Sequence, residues 1–471
     1  MINLPKHVEK DEIRKILKRK GARVYFVGIG GISMSALALM LKKRGVKVSG
    51  SDIRKSEITE NLVKNGIVVR LSHTKEAVMS FNPDIVVFSL SVDSNNCEYK
   101  AALNMDIPIV LRSELLGAIM EDYSMKIGIS GSHGKSTVTA MLGAVLNEDK
   151  KAPTVLCGAE ICNASGLIDG DEKYLVYEAC EYGDSFLNFN PDVQLLLNLD
   201  LDHTDYFKSE SMIVESFLKS ANNAKNSCVL NLDSKNLALV SERSATKMHT
   251  YSRGTRSEYR YETLKRLSGT YSFNLYRKEN LIGEYITSLK GEFNAVNAVA
   301  AAVCADVIGV PYESSRKAIE EFRGLKRRLE GLGKIESFEL FYDYAHHPCE
   351  ISATKSALSD MGYRRTAVIF APHTYSRTAY FLNEFAKELS KFDEVYITDI
   401  YGARENAVVG INASALANKI RDMGGISHAI GVYDAKTVVQ SISGRDFDCV
   451  VLMGAGEIEE YKQEFLKYRR R

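Results

Sequence analysis

Short apolar segments rich in β-branched residues alternate along this chain with segments whose apolar residues recur at helical spacing. In the first block, from about residue 22 to 111, the predicted strands are RVYFVG, VKVSGSD, PDIVVFSL and IPIVL, and the predicted helices include SMSALALMLKKRG and EITENLVKNG. This alternation predicts parallel sheets, because two parallel strands need a long crossover connection. A similar alternation starts again at MKIGIS and at FELFYDYA, so the sequence predicts an α/β protein.

The first glycine cluster, VGIGGISMSAL, joins a predicted strand that ends at Gly28 to a predicted helix that begins near Ile32. Gly28 and Gly30 permit a tight turn and the close approach of a pyrophosphate to the helix N-terminus. Asp52 follows the second predicted strand, where dinucleotide-binding proteins place a ribose partner. Because Ser33 stands in place of a third glycine, three interpretations of this cluster stay open: NAD, another nucleotide, or tight packing alone.

The second glycine cluster, GISGSHGKST at residues 128–137, follows a predicted strand and precedes a predicted helix. Its backbone N–H groups can cradle phosphate, Lys135 can reach terminal phosphates, and Ser136 or Thr137 can ligate Mg²⁺. A turn that binds nothing would not account for a lysine at a helix N-terminus, where the macrodipole disfavours cations. The cluster therefore predicts a nucleotide site.

Polar residues cluster directly after predicted strands in the second and third blocks. These clusters are Glu178 with Glu181, then Asp202, His203 and Asp205, then Asp343, His346 and His347, and finally His373, Tyr375, Ser376 and Arg377. Carboxylates at strand ends beside a phosphate loop are typical metal ligands. His203 lies between Asp202 and Asp205 in the sequence and is a candidate ligand as well. Because the carboxyl ends of parallel strands meet at one edge of a sheet, the clusters predict a ligand-binding edge. The basic triplet at residues 326–328 is either a solvated face or a phosphate contact.

Composition and charge exclude several classes of partner. The formal net charge of +1 gives no electrostatic reason to expect nucleic acid or an anionic membrane. No apolar run reaches the length of a membrane span, and the N-terminal segment lacks the apolar core of a signal peptide. The eight cysteines contain no C-x-x-C pair and are interpreted as reduced thiols, so we expect a cytoplasmic protein.

At 471 residues, the chain is too long for one ordinary hydrophobic core. We predict three domains, each built on a largely parallel sheet: a Rossmann-like N-terminal domain at 1–121, a P-loop ATPase-like central domain at 122–328, and a Rossmann-like C-terminal domain at 329–471. Residues 236–290 are less regular and rich in predicted strands, and we interpret them as an insertion at the edge of the central domain.

Together, these motifs resemble those of the Mur ligases, a family that builds the peptide stem of bacterial peptidoglycan, and they keep the family's order from about residue 22 to 460. GIGGISMSALA resembles the N-terminal loop of the family, which holds the diphosphate of a UDP-sugar rather than a nicotinamide cofactor. GISGSHGKST resembles the family's shortened ATP loop, G-x-x-G-K-[ST]. The other matching segments are EACEYGDSFL, NLDLDHTDYF, GEFNAVNA, GLKRRLE, YDYAHHPCEI and PHTYSRT.

The resemblance implies a role for the residue at each matching position. Those implied in ATP binding are Gly131, Ser132, His133, Gly134, Lys135, Ser136, Thr137, Asn294, Asn297, Arg328 and Asp343. Those implied in binding the UDP-sugar or the amino acid are Gly28, Ile29, Gly30, Gly31, Ile32, Asp52, His73, Glu181, His373, Tyr375 and Arg377. The implied magnesium ligands are Ser136, Glu178 and His203, and the implied catalytic residues are Lys135, His203, Arg328, His346, His347 and Arg377.

The activity that the resemblance implies is ATP-dependent amide formation through an acyl phosphate. The implied ligands are ATP, Mg²⁺, UDP-N-acetylmuramate and L-alanine, and the implied assembly is a monomer or a weak homodimer. Either His346 or His347 is a candidate base for the alanine amine. Two alternatives stay open: a related ligase that attaches a whole peptide to the same UDP-sugar, and an NAD-dependent oxidoreductase or UDP-sugar dehydrogenase built on residues 22–111, which the phosphate loop argues against.

Overall fold

The computed structural model describes residues 8–89, 92–93, 95–161, 165–403, 405–431, 434–456 and 458–468. The chain forms two compact units. The first contains Met1–Leu199, Ile213–Arg260 and Ala300–Ala318, and the second contains Asp200–Met212, Tyr261–Val299 and Ile319–Arg471. Among the described residues, no helix combines the length and the apolar character needed to cross a lipid bilayer.

The first unit begins with a sheet whose paired strands are all parallel. Its strands are β1 (Arg23–Val27), β2 (Lys47–Ser51), β3 (Val68–Arg70), β4 (Ile85–Phe88) and β5 (Ile109–Leu111). Its helices are α1 (Lys10–Leu17), α2 (Ile32–Lys43), α3 (Glu57–Lys64), α4 (Lys75–Phe81), α5 (Cys97–Asn104) and α6 (Arg112–Met120). The strand order is β3-β2-β1-β4-β5, so the winding reverses between β1 and β4. Open α/β sheets bind ligands beyond the carboxyl ends of their strands at such a reversal.

A second sheet follows in the chain. Its strands are β6 (Met125–Ser130), β7 (Pro153–Leu156), β8 (Leu167–Ile168), β9 (Asp171–Glu178), β10 (Val193–Leu196), β11 (Ser227–Asn231), β12 (Met248–Ser252) and β13 (Tyr259–Lys265). Its helices are α7 (Lys135–Glu148), α8 (Glu210–Asn222) and α9 (Lys235–Arg243), with a 3₁₀ segment at Tyr182–Asn188. The strand order is β13-β12-β11-β10-β6-β9-β7-β8. Strands β9 and β10 therefore flank β6, whose carboxyl end carries the phosphate loop.

In the second unit, an antiparallel hairpin consists of β14 (Thr270–Arg277) and β15 (Asn280–Lys290). Phe273 and Tyr285 are direct cross-strand partners in this hairpin, and their rings stack with centroids 4.8 Å apart. A 3₁₀ turn at Leu267–Gly269 precedes the hairpin. The helices α10 (Glu292–Val307) and α11 (Tyr312–Glu321) follow it in the chain, and their residues within Ala300–Ala318 belong to the first unit.

The third sheet belongs to the second unit. Its strands are β16 (Glu330–Ile335), β17 (Phe338–Asp343), β18 (Thr366–Ala371), β19 (Glu394–Ile397), β20 (Ser427–Ala429) and β21 (Cys449–Gly454), in the order β16-β17-β21-β18-β19-β20. Its helices are α12 (Pro348–Asp360), α13 (Tyr375–Tyr380), α14 (Leu382–Leu389), α15 (Ala413–Asp422), α16 (Ala435–Ser443) and α17 (Glu459–Tyr468). Alternate residues of β18 enter different cores: Val368 and Phe370 join one apolar cluster, and Ala367 and Ile369 join the other. Both faces of this sheet are therefore covered.

The predicted fold class is confirmed, because the structure is an α/β protein with three domains on sheets that are largely parallel. Antiparallel pairing occurs between β7 and β8, between β14 and β15, and between β16 and β17. The predicted strand-rich segment at 236–290 contains most of α9 and the strands β12 to β15. The domain boundaries near residues 121 and 328 stay predictions.

Candidate active site

The loop at residues 28–31 leaves β1 at the point where the winding of the first sheet reverses. Gly28 makes the turn with a φ of +77°, a value that favours glycine. The N–H groups of Gly28 and Ile29 both donate to the Ser51 carbonyl at 2.9 Å, and that of Gly31 donates to the Gly28 carbonyl at 3.2 Å. The loop's own donors are thus used within the protein. The first N–H groups of α2, beginning with Ile32, have no acceptor within the helix and suit an anion.

Gly30 is required by packing against Asp52. The N–H of Gly30 donates to Asp52 Oδ2 at 2.9 Å, and Asp52 Oδ1 accepts from the Arg54 N–H at 3.0 Å. A Cβ at position 30 would lie 2.8 Å from the Asp52 carboxylate and 3.0 Å from Thr59. Asp52, which the sequence pattern places beside a ribose, therefore binds the backbone of the glycine loop in this structure.

Glu98 is a fully buried carboxylate at the same edge of the first sheet. It accepts hydrogen bonds from the Tyr25 hydroxyl at 2.8 Å and the Ser51 hydroxyl at 2.5 Å. His73 Nδ1 lies 2.9 Å from Glu98 Oε2, and this hydrogen bond raises the pKa of His73. Asn96 fixes the start of α5 by accepting from the Glu98 N–H at 2.8 Å. His73 is therefore held in one orientation by a buried acceptor that the sequence pattern did not single out.

The phosphate loop joins β6 to α7 and is held by the strand on one side of β6. Asn198, which follows β10, accepts from the His133 N–H at 2.8 Å and donates to the His133 carbonyl at 3.0 Å. Gly134 caps α7 with a φ of +85°, and a Cβ at Gly131 would lie 3.0 Å from Leu197. The first N–H groups of α7, which include those of Lys135 and Ser136, have no acceptor within the helix. The loop is thus shaped to receive an anion.

Lys135 lies inside this loop rather than in solvent. Its Nζ donates to the Gly131 carbonyl at 2.5 Å and to Glu181 Oε1 at 3.1 Å, and Glu181 is fully buried. Burial disfavours the cation, but Glu181, Cys180 and Glu178 outweigh burial and raise the pKa of Lys135. Glu181 therefore keeps Lys135 charged beneath the loop, and its predicted contact with a substrate stays a prediction.

Glu178 and Ser136 are paired beside the loop. The Ser136 hydroxyl donates to Glu178 Oε2 at 2.8 Å, and the Gly158 N–H donates to the same oxygen at 2.9 Å. Thr137 is buried on the first turn of α7. A hydroxyl and a carboxylate at this distance are hard oxygen donors, which are the ligands that magnesium prefers.

In the second unit, Arg377 and Asp202 form a buried ion pair. The Nε and Nη2 groups of Arg377 both donate to Asp202 Oδ1, at 3.1 and 2.7 Å, and Nη1 lies 3.0 Å from His373 Nδ1. Although burial disfavours the carboxylate, Arg377 and the nearby His203 hold the pKa of Asp202 well below its usual range. The His203 N–H also donates to Asp202 Oδ1 at 2.7 Å. The Nε and Nη2 donors of Arg377 are thus already bound to the Asp202 carboxylate.

The two neighbouring histidines differ in their hydrogen bonds. His346 Nδ1 lies 2.8 Å from the Tyr344 carbonyl, which can only accept, so Nδ1 carries the proton and Nε2 keeps its lone pair. His347 Nδ1 accepts from the Cys349 N–H at 3.4 Å as the N-cap of α12, so its proton lies on Nε2. Burial lowers the pKa of His346 to about 4, against the opposing effect of Glu350. His346 is therefore the neutral ring with a free acceptor nitrogen.

Other predicted nucleotide contacts lie on the second unit. Asp343, at the end of β17, accepts from the Thr354 hydroxyl at 2.5 Å, and burial raises its pKa to about 6. The Arg328 guanidinium lies over the Tyr344 ring, 5.2 Å from its centroid. Asn294 and Asn297 are both buried on α10, and Asn297 donates to Asn294 Oδ1 at 3.3 Å. Tyr375 begins α13, two residues before Arg377 in that helix.

Within each unit, the structure brings together several residues that the sequence pattern predicted. The first unit joins Lys135 with Glu181 and Ser136 with Glu178, and the second unit joins Arg377 with His373. Sequence reasoning missed Glu98 and Arg112. Arg112 directly follows β5, and this position at a strand end is the signal that was used for the other clusters. Glu98 lies within a helix, where no local pattern marks it.

Family models match this chain in three consecutive segments. The Mur ligase family catalytic domain matches residues 23–124, the Mur ligase middle domain matches 129–305, and the Mur ligase glutamate ligase domain matches 327–456. The protein belongs to the Mur ligase family.

Within the family, the chain is similar to ligases named for muramate and alanine. The UDP-N-acetylmuramate–L-alanine ligase of Caldicellulosiruptor bescii is 37% identical over 449 residues, which are 94% of this chain and 98% of that protein. The crystal structure of the UDP-N-acetylmuramate–alanine ligase of Thermotoga maritima is 25% identical, with a TM-score of 0.81 over 95% of this chain and 99% of that one. A murein peptide ligase from Psychrobacter arcticus shares the fold at 21% identity, with a TM-score of 0.73 over 95% of this chain and 98% of that one.

Proposed function

We propose that this protein joins L-alanine to the carboxylate of UDP-N-acetylmuramate, using ATP, in the synthesis of the peptidoglycan precursor. The observation that carries the proposal is the similarity to the ligase of Caldicellulosiruptor bescii, which extends over 94% of this chain. The phosphate loop supports it, because a half-buried Lys135 at the start of α7 and a paired hydroxyl and carboxylate beside it suit phosphoryl transfer.

The reaction requires activation, because a carboxylate does not condense with an amine in water. A carboxylate oxygen of the sugar attacks the γ-phosphorus of ATP, and ADP leaves. The amine of alanine then attacks the carbonyl carbon of the acyl phosphate, inorganic phosphate leaves with the carbon–oxygen bonding pair, and the nitrogen loses a proton. Both steps depend on positioned positive charge around phosphoryl oxygens and on held substrates.

Lys135 is proposed to neutralise the charge of the transferred phosphoryl group. Its ammonium lies at the first turn of α7, beneath the loop that carries the anion-ready N–H groups. Arg328 is proposed as a second cation at the nucleotide, and its position over Tyr344 limits its freedom before binding. Asn294, Asn297 and Asp343 stay proposed nucleotide contacts.

Magnesium fits the donor set beside the loop. Ser136 and Glu178 would hold the ion through oxygen atoms that already lie 2.8 Å apart. His203 is proposed as a further ligand from the family resemblance. When bound, the ion would neutralise charge on the phosphates and on the acceptor carboxylate.

We propose that His346 removes the proton from the alanine amine. The reason is the free lone pair on its Nε2, which the bond from Nδ1 to the Tyr344 carbonyl leaves available. Arg377 and His373, which contact each other, are proposed to bind the alanine carboxylate through the donors that Asp202 does not use.

The proposal extends to organisation and location. We propose domains at 1–121, 122–328 and 329–471, a cytoplasmic location, and a monomer or weak homodimer. The N-terminal domain would bind the UDP-sugar, the central domain ATP, and the C-terminal domain the amino acid together with part of the ATP.

A phosphate-release assay tests the function. The purified protein receives ATP, Mg²⁺ and UDP-N-acetylmuramate with alanine, serine, glycine or the L-alanyl-γ-D-glutamyl-meso-diaminopimelate tripeptide, and mass spectrometry identifies the product. We expect release that requires the UDP-sugar and is fastest with alanine. Preference for the tripeptide would assign the protein to the peptide-adding ligases. Absence of UDP-sugar-dependent release, together with an absorbance change with NADH, would support the oxidoreductase alternative instead.

A further inference from the structure

Arg112 occupies an unusual place for an arginine. It is the first residue of α6 and directly follows β5, at the carboxyl edge of the first sheet. The helix macrodipole disfavours a cation at a helix N-terminus. Lys135 is also a cation at a helix N-terminus, and it lies in the phosphate loop. By the same reasoning, an anion bound near Arg112 would offset the unfavourable interaction of its charge with the helix.

A small cavity of the first unit lies beside Arg112. Its volume is about 40 Å³, and its lining includes Arg112, Ser33, Gly158, Glu178 and Cys180. Ser33 belongs to the first turn of α2, whose free N–H groups follow the glycine loop. The cavity therefore lies between the start of α2 and the hydroxyl–carboxylate pair beside the phosphate loop.

The guanidinium of Arg112 lacks a hydrogen-bond acceptor among the residues that the structure describes. Glu178 and Cys180 are near enough to act on it electrostatically, and they oppose the burial that lowers the pKa of Arg112. The Oε2 atom of Glu178 is already bound by Ser136 and Gly158. The guanidinium of Arg112 is half-buried beside the cavity, where no described residue pairs with it. An arginine in such a place commonly binds a carboxylate or a phosphate through two parallel hydrogen bonds.

The size of the cavity limits which anion can bind beside Arg112. A volume of about 40 Å³ suits a few water molecules or one carboxylate, and is too small for a diphosphate. On one side of the cavity, the free N–H groups of α2 suit the diphosphate of the sugar. On the other side lies Glu178, a proposed magnesium ligand, beside which the carboxylate would be phosphorylated.

We propose that Arg112 binds the carboxylate of UDP-N-acetylmuramate and holds it beside Glu178 for phosphorylation. This inference rests on the proposed function. It gives Arg112 a role in specificity, because a UDP-sugar without the carboxylate would leave the guanidinium unpaired.

Calorimetry with two sugars tests the inference. UDP-N-acetylglucosamine lacks the lactyl ether and its carboxylate but keeps the diphosphate and uridine. The affinities of both sugars are measured for the native protein and for Arg112→Gln. We expect Arg112→Gln to weaken UDP-N-acetylmuramate about 10- to 100-fold, the value of a lost charge-assisted pair, and to leave UDP-N-acetylglucosamine unchanged or slightly tighter.

Two results overturn the inference. Equal weakening of both sugars would assign Arg112 to the shared diphosphate or uridine. Unchanged affinity for both sugars would mean that Arg112 does not contact the substrate. Failure of the native protein to bind UDP-N-acetylmuramate would count against the proposed function itself, so the two failures are distinguishable.

Two further variants distinguish the loss of a substrate contact from a defect in folding. Arg19→Gln removes a partly exposed arginine that pairs with Asp84 at 3.2 Å, and it should change neither affinity. Arg112→Lys keeps the charge but not the two-pronged geometry, and it should weaken only the muramate sugar, by a smaller factor. If Arg112→Gln does not fold, Arg112→Lys decides the question by the same comparison of the two sugars.

Discussion

His73 Nδ1 and Glu98 Oε2 lie 2.9 Å apart, and Glu98 is fully buried. The pair links a loop residue proposed to contact the UDP-sugar to the interior of the first domain. The hydrogen bond from Glu98 favours the imidazolium, which is why the pKa of His73 is raised.

We predict that Glu98→Gln lowers the pKa of His73. In the native protein this pKa lies above the usual 6.5, so protonated His73 contributes stability below about pH 6.5, and the contribution is lost as pH rises through the raised pKa. NMR titration of ¹³C-labelled histidine measures the shift, with His73→Gln identifying the signal. An unchanged His73 titration in Glu98→Gln would show that Glu98 does not set its charge.

Lys135→Met should abolish phosphate release and also destabilise the fold. The variant removes the counter-charge of Glu181, and an unpaired buried charge costs about 3–5 kcal/mol. Lys135→Met combined with Glu181→Gln should recover much of the stability while activity stays below about a hundredth of native. Urea denaturation and the phosphate assay measure the two properties separately. Activity above a tenth of native in the double variant would contradict the proposed role of Lys135.

His346→Gln and His347→Gln form a matched pair. Because only His346 presents a free acceptor nitrogen, its variant should lose about 10²–10⁴-fold in kcat with little change in KM for ATP. Higher pH should restore part of this rate, since more alanine then carries a free amine. His347→Gln should mainly weaken the N-cap of α12 and lower the melting temperature. The reverse order of kcat losses would assign the base to His347.

Gly30→Ala and Gly31→Ala test the packing of the first loop. A Cβ at position 30 would meet the Asp52 carboxylate at 2.8 Å, whereas one at position 31 would meet the Gly28 carbonyl at 3.5 Å, an ordinary contact. We expect Gly30→Ala to lower stability and weaken UDP-sugar binding, and Gly31→Ala to be tolerated. Asp52→Ser in the Gly30→Ala background should recover stability if the clash is the cause. Equal effects at both positions would contradict it.

The sequence was sufficient to predict the parallel sheets, the phosphate loop and most of the strand-end clusters, because these follow from local periodicity and from motif order. It did not predict β3, β7, β8, β16 or β20, of which all but β7 lie at sheet edges. Edge strands keep one side unpaired and can leave most of their side chains in solvent, as Val68–Arg70 does, so their apolar pattern is weak.

Contacts distant in sequence account for the rest. The interpretation that Gly30 makes room for a diphosphate did not include Asp52, because nothing local indicates that this carboxylate folds back onto the loop. Glu181 was assigned to substrate, and its pairing with Lys135 depends on the neighbouring positions of β6 and β9 in the sheet. The burial of Glu98, which controls its effect on His73, emerges only from packing.

The internal bonding of the loop at residues 28–31 has a consequence for how its ligand is recognised. Since Ser51, Gly28 and Asp52 already accept from its N–H groups, the loop keeps its shape without a ligand. A sugar nucleotide bound at this loop, as proposed, would meet a preorganised surface, and little conformational entropy would be lost there on binding. Affinity at this end of the protein then depends on the few donors that remain unsatisfied, which makes each of them a strong determinant of selectivity.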